Sequence, residues 1–510
     1  MVPHRPGPGN LSLPHFVPVV GPHGDASASP RLAAPLRELL AHDFTAWTTR
    51  GLRSIKQRTV RTVLVGALGD ESVHVKVFRA DTFADRARDL LRGAPGLREA
   101  GNLQHARELG LPAVEPLAHG FVQTDEQRRS FVVTRSVDGA PFDFASASAT
   151  VLANAGALLR SVHDKGLAPG DLHPGNLLVD AAGQLHLLDF TSLRHVGELD
   201  LVARARALAF FCQELDGGAL DRQARPLLAA YLAAGPALPP ALRRELTLAT
   251  HRWRAGALPA FGRRAQRECK HTTVGEIRRG IPRWVWHLGA EPVAAHRPAV
   301  DAFFAAPPPP HKEGRRGAVW LLDRLVVKQR DAGAAQKLWR ASYWLLFAKV
   351  AAPAPVAMRW HVGTGHVVTA RLGTRSLAEE LADNCLDADA IAAATRSIGT
   401  QVGRLHAHGL GNRDLKFDNL VRRGGDGEVC MVDLDGVRRR AATETRGRGH
   451  DLGRLLASFR AAGTPGGATT VRTFLRSYLR AHRRLLQQPP LRRLLRSAEQ
   501  RAGEWASEHR

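Results

Sequence analysis

An α+β fold of two lobes, repeated in tandem, is what the sequence predicts. Three observations predict it. Gly170-Asp171-Leu172-His173-Pro174-Gly175-Asn176-Leu177-Leu178 is followed by Leu187-Leu188-Asp189-Phe190, which sets an Asp, an Asn five residues later, and a second Asp thirteen residues after the Asn. The pattern returns at Asp414-Leu415-Lys416-Phe417-Asp418-Asn419-Leu420 and Val432-Asp433-Leu434-Asp435-Gly436, with an Asn-to-Asp spacing of fourteen. Each copy has a His eight residues before its first Asp, and a strand lysine further upstream: Lys76 lies 95 residues before Asp171, and Lys328 lies 86 before Asp414. A repeat this long is a duplicated domain, not a solenoid.

Taken in order, Pro, Gly and His dominate residues 1–30, which read as a disordered tail. A helix follows from Pro35 to Trp47, so residues 1–45 are assigned to the tail and leading helix. Thr59–Val65 and Ser72–Phe78 alternate as strands around a turn at Gly66–Asp70. Gly96–Leu109 is helical and carries Glu99, Phe131–Arg135 is a strand, and Val151–His163 is a helix before the Asp171 loop. From Leu199 to Ala290 the pattern is helical with Pro and Gly breaks, and Trp284 and Trp286 read as core. The first domain is therefore set at 46–290, and the Pro307–Pro310 run marks a linker at 291–313. The second domain, 314–510, repeats the order. It has a hairpin turning at Asp323-Arg324, a helix with Trp339, Trp344 and Phe347, a strand at Val367–Arg371, and a helix from Ile398 to His406. Asp451 opens a further helix and can hold the second loop from beneath. Leu491–Arg501 has Leu and Arg at helical spacing, which suits either packing on its own lobe or lying on an anionic membrane.

Composition sets limits on function. A chain of 510 residues with 44% apolar content is long enough for two cores. The four cysteines form no C-x-x-C pair, so neither a zinc knuckle nor a disulfide framework is indicated, and a reducing cytoplasm fits. No apolar run is long enough for a membrane span. The formal charge of +24 favours an anionic partner, although an Arg-, Ala- and Gly-rich composition also arises from coding bias.

The paired pattern has a chemical reading. Phosphoryl transfer needs positioning and charge neutralisation more than covalent help. Asp171 and Asp414 are placed to orient an acceptor hydroxyl. Asn176 with Asp189, and Asn419 with Asp433, are oxygen donors for Mg²⁺. Lys76, fixed by Glu99, and Lys328 suit the nucleotide phosphates, and Lys416 is placed to reach the transferring group. The fold expected is therefore bilobal and protein-kinase-like. Gly-Asp-Leu-His-Pro-Gly-Asn-Leu-Leu resembles the loop of aminoglycoside phosphotransferase-type kinases and of the lipopolysaccharide kinase family. Asn412-Arg413-Asp414-Leu415-Lys416-Phe417-Asp418-Asn419-Leu420, with Val432-Asp433-Leu434-Asp435-Gly436-Val437, looks closer to the latter, the Kdo and heptose kinases. The resemblance covers about residues 50–215 and 315–465. It implies an ATP- and Mg²⁺-dependent sugar kinase of the inner core, cytoplasmic, with a glycolipid or sugar acceptor, peripheral contact at the inner membrane and no nucleic-acid partner.

This sequence departs from the family pattern in three places. The residue two before the catalytic-type Asp is Pro169 in one unit and Asn412 in the other. Neither unit has a G-x-G-x-x-G loop, and the second has no evident counterpart of Glu99 near Gln336-Lys337-Leu338-Trp339. A protein serine/threonine kinase and a tandem pseudokinase scaffold are the competing readings.

Overall fold

The computed structural model describes residues 15–58, 61–79, 89, 91–124, 127–213, 215, 224–235, 241–269, 271–275, 282–289, 293–423, 427–440, 445–462, 467–482 and 491–508. The chain forms two compact units, Met1–Glu214 with Leu220–Leu246, and Leu215–Ala219 with Thr247–Arg510. Each is a strand-rich lobe followed by a helical one.

In the first unit the upper lobe contains β1 (Val17–Gly21), β2 (Gly24–Ala28), α1 (Pro30–Leu40), β3 (Leu52–Arg58), β4 (Arg61–Leu68), β5 (Glu71–Phe78), α2 (Pro95–Glu108), β6 (Pro116–Gln123) and β7 (Arg128–Arg135). The strands form an antiparallel sheet in the order β1-β2-β6-β7-β5-β4-β3. Alternation along β5 decides what each face does. Val73, Val75 and Val77 are buried in a cluster with Leu32, Leu36 and Leu40 of α1 and with Trp47. Lys76 therefore points to the other face, where α2 docks. That docking is close. A Cβ on Gly96 would sit 2.5 Å from the Phe131 carbonyl oxygen, so α2 needs a glycine there.

The lower lobe contains β8 (Gly139–Pro141), α3 (Ala149–Asp164), β9 (Leu167–Pro169), β10 (Leu177–Asp180), β11 (Leu185–Leu187), β12 (Leu193–His195), α4 (Leu201–Phe211), α5 (Ala224–Ala233) and the start of α6 (Ala241–Arg264). β9 pairs with β12, and β10 lies between β8 and β11. The Asp171 loop leaves β9 and enters β10, and Asp189 follows β11.

The second unit repeats the design. Its upper lobe contains β13 (Thr272–Val274), β14 (Arg283–His287), α7 (Val293–Ala305), β15 (Lys312–Gly314), β16 (Gly317–Leu321), β17 (Leu325–Asp331), α8 (Ala332–Phe347), β18 (Pro355–His361) and β19 (Thr364–Ala370). The sheet order β13-β14-β18-β19-β17-β16-β15 matches the first sheet strand for strand. The lower lobe contains α9 (Leu377–Ala382), α10 (Ala388–Ala407), β20 (Leu410–Asn412), β21 (Leu420–Arg422), β22 (Val429–Met431), β23 (Val437–Arg439), α11 (Thr445–Ala461), α12 (Gly467–His482) and α13 (Leu491–Glu508).

Several expected boundaries differ. Residues 17–28, assigned to the tail, pair as β1 and β2, while 1–14 lie outside the described residues. The leading helix starts at Pro30, where Pro suits the first turn, and stops at Leu40; Asp43 then caps a separate 3-10 turn, Phe44–Thr49. The expected helical stretch to Ala290 contains β13 and β14, and the expected linker contains α7. Val300 and Phe303 of α7 are buried with Trp286 and Trp320. The units divide in α6, upstream of the expected linker, because Trp339 and Trp344 of α8 donate to the Ala265 and Leu258 carbonyls at 2.7 and 3.0 Å. Asp451 sits inside α11 and does not open it. Leu494, Ala498 and Ala502 of α13 are buried, and Gly453 of α11 lies against the Ala498 carbonyl, so this helix packs on its own lobe. Among the described residues no helix is long and apolar enough to cross a membrane.

Candidate active site

In the first unit β5 and α2 bring Lys76 and Glu99 into an ion pair, with Glu99 fully buried. The Thr191 hydroxyl lies 2.9 Å from both Glu99 Oε2 and Asp189 Oδ1 and donates to one at a time. Arg61, the first residue of β4, pairs with Asp189 Oδ2. Asp189 adopts φ of +56°, a left-handed conformation that is unusual outside glycine. Asn102 holds it there by donating to the Phe190 carbonyl at 2.6 Å. Across the cleft, Asn176 Nδ2 donates to the Asp171 carbonyl at 2.7 Å, which fixes the loop and turns the Asn176 Oδ1 acceptor away from that bond.

The two carboxylates shift in opposite directions. Burial pushes Asp189 up, but the charges of Lys76 and Arg61 outweigh it and bring the pKa down to about 2. Asp171 is raised, chiefly because the cleft walls strip water from a carboxyl whose residue is otherwise exposed. His173 and Arg61 oppose that rise and Asp189 adds to it.

The second unit spends its charges differently. Both α2 and α8 end at a left-handed residue, Gly110 and Lys349. Eleven residues before that turn stand Glu99 in one helix and Leu338 in the other. Leu338 is buried, so Lys328 has no helix glutamate to pair with. It turns to Asp433 at 3.0 Å and Asp435 at 3.5 Å. The charge of Lys328 overcomes burial and holds the Asp433 carboxyl low. Arg330 pairs with Asp435 at 2.7 Å.

The second loop is the better braced of the two. Asn419 Nδ2 is 2.9 Å from both the carbonyl and Oδ2 of Asp414, and Arg454 pairs with Asp414 Oδ1 at 2.7 Å. Lys416 lies 3.6 Å from Asp418. Beneath the loop, fully buried Asp451 accepts from the Asn412 N–H at 3.0 Å and from Arg440 at 2.6 Å, and lies 3.3 Å from His406 Nε2. The Asn412 side chain in turn accepts from the Asp414 N–H at 3.0 Å. A Cβ on Gly436 would fall 2.2 Å from that Asn412 oxygen, so Gly436 has to be glycine. In the first unit Pro169 has no N–H to offer, and the helix after β12 presents Arg204, not an aspartate. Arg204 bonds Asp164 at 2.6 Å, with its charge near His163. His163 keeps a Tyr231 partner at 2.8 Å, but its Nε2 is buried without one. Burial, and secondarily Arg204, lowers its pKa to about 3.

The family model for lipopolysaccharide kinases (Kdo/WaaP) matches residues 43–205 and 331–478, which together exceed half of the chain and contain both loops. The chain belongs to the lipopolysaccharide kinase family. It is built as two copies of one bilobal design, each a strand-rich lobe followed by a helical one. No curated protein matches it. Similar solved structures include a high-resolution crystal structure of WbdD, at 16% identity over 39% of this chain and 50% of that one, with a TM-score of 0.27. A second is of the bifunctional kinase-methyltransferase WbdD, at 16% over 38% and 47%, with a TM-score of 0.25. An aminoglycoside-3'-phosphotransferase of type VIII matches at 19% over 41% and 97%, with a TM-score of 0.28. The chain thus spans about half the length of the WbdD structures.

A kinase of this family implies a nucleotide and a divalent metal. Among the described residues no group of three or more His, Cys, Asp or Glu side chains could hold a metal by itself. One anionic Asp and one Asn carbonyl per unit do fit a hard cation that draws its remaining oxygens from phosphates and water. In the second unit a cavity of about 660 Å³ reaches from Lys328 and Asp433 to Leu372 and Gly373 between the lobes, with Val319 and Val326 as apolar walls. Sequence reasoning missed Arg61, Thr191, Arg330, Arg454 and the bracing role of Asn412. Arg61 lies in a stretch that the sequence marks only by strand alternation, before the turn at Gly66–Asp70.

Proposed function

We propose that this kinase transfers the γ-phosphoryl group of ATP, with Mg²⁺, to a sugar hydroxyl of the lipopolysaccharide inner core, and that the first unit carries the transfer. The observation that supports this most is the linked set Lys76–Glu99–Thr191–Asp189 opposite Asp171, in which one carboxyl is held low and the other pushed up. Such a split is what an ionised metal ligand and a hydroxyl-orienting base require. Asp171 would accept a hydrogen bond from the acceptor hydroxyl and aim its oxygen along the line of attack. Lys76, kept in place by Glu99, would neutralise charge on the nucleotide phosphates. Asn176 Oδ1 and Asp189 would hold the metal in the first unit, Asn419 Oδ1 and Asp433 in the second. Bound there, Mg²⁺ supplies neutralisation of charge developing on the phosphate oxygens. In the second unit Lys416 would approach the transferring group. The high positive charge agrees with an acidic glycolipid acceptor presented at a membrane surface.

The test is turnover of γ-labelled ATP with candidate core sugars, comparing Asp171→Ala and Asp414→Ala. Loss on Asp171→Ala with Asp414→Ala near wild type supports the assignment, and unchanged turnover in both variants sinks it. A second reading, nucleotide binding without transfer, draws on Lys328, which is committed to Asp433 and not to a helix glutamate. Thermal stabilisation by Mg·ATP without phosphorylated sugar or protein product would favour it.

A further inference from the structure

Arg61 closes the β3–β4 hairpin opposite Arg58, two residues before Val63, which pairs with Lys76. Strand alternation therefore puts Arg61 on the same face as Lys76, toward the cleft. There it pairs with Asp189 Oδ2, so a residue of the upper lobe is tied to the lower lobe of the same unit. The pair is only partly wetted, with side chains 22% and 14% exposed. Burial works against the charge of Arg61, but Asp189, then Glu99 and Asp171, outweigh it and raise its pKa. Lys76 is already matched by Glu99. The second unit is built differently at this point. β16 takes the place of β4 in the second sheet, and its hairpin closes with Gly314 opposite Gly317. Gly317 thus stands where the first unit has Arg61. Its φ is +115°, and a Cβ there would sit 2.1 Å from the Gln329 carbonyl oxygen, so a side chain is excluded. Asp433 is met instead by Lys328, from within the sheet.

A guanidinium and a hard divalent cation compete for one carboxylate. Both seek anionic oxygen, and the two positive charges repel each other strongly in a half-buried cleft. Asp189 is the fixed partner. Its left-handed backbone is braced by the Asn102 bond to the Phe190 carbonyl at 2.6 Å, and Thr191 lies against Oδ1. Arg61 ends a hairpin at the margin of the sheet, so an exchange of partners moves the arginine and leaves the carboxylate in place. We propose that Arg61 and a divalent cation hold Asp189 in alternation. With the arginine there, the hairpin is strapped across the cleft; with a metal there, the strap is released. The inference rests on Asp189 being a metal ligand in the transfer proposed above. Mg²⁺ is held by one or two carboxylates together with phosphates and water. Metal alone must displace Arg61 for a single protein carboxylate, whereas metal arriving with a nucleotide brings further oxygens to the exchange. Arg61 is thus a positioning residue that makes the first unit take metal and nucleotide together.

The probe is Mn²⁺, whose unbound form gives an electron paramagnetic resonance signal, titrated into the full-length protein without nucleotide. Binding lost in Asp189→Asn defines the site of the first unit. At that site Arg61→Gln should bind Mn²⁺ at least tenfold more tightly than the wild type. Arg61→Lys, which keeps a cation, should return toward the wild-type value, and Arg53→Gln, at an exposed position on β3, should equal it. Release of the strap is read by hydrogen exchange at the amides of Thr62 to Leu64. In the wild type, saturating Mg²⁺ at matched ionic strength should speed that exchange. In Arg61→Gln exchange should be fast from the start and indifferent to Mg²⁺. The wild-type comparison needs no variant, so it stands even if Arg61→Gln does not fold. Equal Mn²⁺ affinity in Arg61→Gln and wild type overturns the alternation while leaving Asp189 a metal ligand. Tighter binding with unchanged exchange overturns the strap. No Asp189-dependent binding in any of these proteins, with ADP present or absent, overturns the metal assignment and the alternation with it.

Discussion

Asp189 and Asp171 show how one cleft pulls two identical side chains apart. Asp189 has two cations against it, whereas Asp171 is shifted chiefly by lost water. A carboxyl whose folded pKa is depressed stabilises the fold above its unfolded value and loses that contribution as pH falls. Here the window runs from 3.8 down to about 2. The shift corresponds to about 2 kcal/mol. Urea unfolding between pH 5 and pH 2 should therefore show a steeper loss for the wild type than for Asp189→Asn; parallel curves would contradict the pairing. Arg61 acts on both groups. Removing it as Arg61→Gln takes away a charge that holds Asp171 down, so the acid limb of the pH–rate profile should move to higher pH. An acid limb that stays in place would show that Arg61 does not reach Asp171. Lys76, Glu99 and Asp189 were legible because strand alternation and loop spacing are local patterns. Arg61 was not, because its partner lies 128 residues away and nothing beside it in the chain announces the pair.

At the scale of single elements, the two loops have reached firmness by opposite routes. In the second unit α11 reaches up with Asp451 to hold β20 and its neighbours. In the first, α4 offers an arginine, and proline removes the N–H that would have needed an acceptor. The chemistry of each position thus matches its counterpart within the same unit. Asp451→Asn would keep the shape of the strut but not its charge. Arg440 would lose its carboxylate, and stability should fall by on the order of 3 kcal/mol. Thermal unfolding that is unchanged by this substitution would show the strut to be dispensable. The bracing Asp was foreseen from its place after the second loop, though not its position mid-helix. β13, β14 and β15 were not foreseen. Strands of three to five residues in an Arg-, Pro- and Gly-rich stretch give too few alternations to stand out, and their identity comes from the sheet they join.

For the molecule as a whole, charge and apolar surface lead to separate expectations. The formal +24 is carried by residues spread along the chain, while the apolar face of α13 is already buried within its own lobe. Association with a membrane should then rest on charge alone. Sedimentation with vesicles containing anionic lipid should be strong at low salt and lost by roughly 0.5 M, where screening is short-ranged. Retention at high salt would point to apolar insertion instead. The duplication was legible from the two loops, but its true extent was not, since neither the leading strand pair nor the helix over the sheet carries a motif.

That leading strand pair has a practical meaning for anyone dividing the gene. A fragment intended to yield the second unit alone has to open near residue 247, well before the first recognisable hairpin. Opened at 314, it would lose β14 from the flank of β18 and uncover Trp320 by removing Trp286, Val300 and Phe303. The product would carry a raw sheet margin beside a sticky aromatic floor, and such a margin recruits strands from other chains.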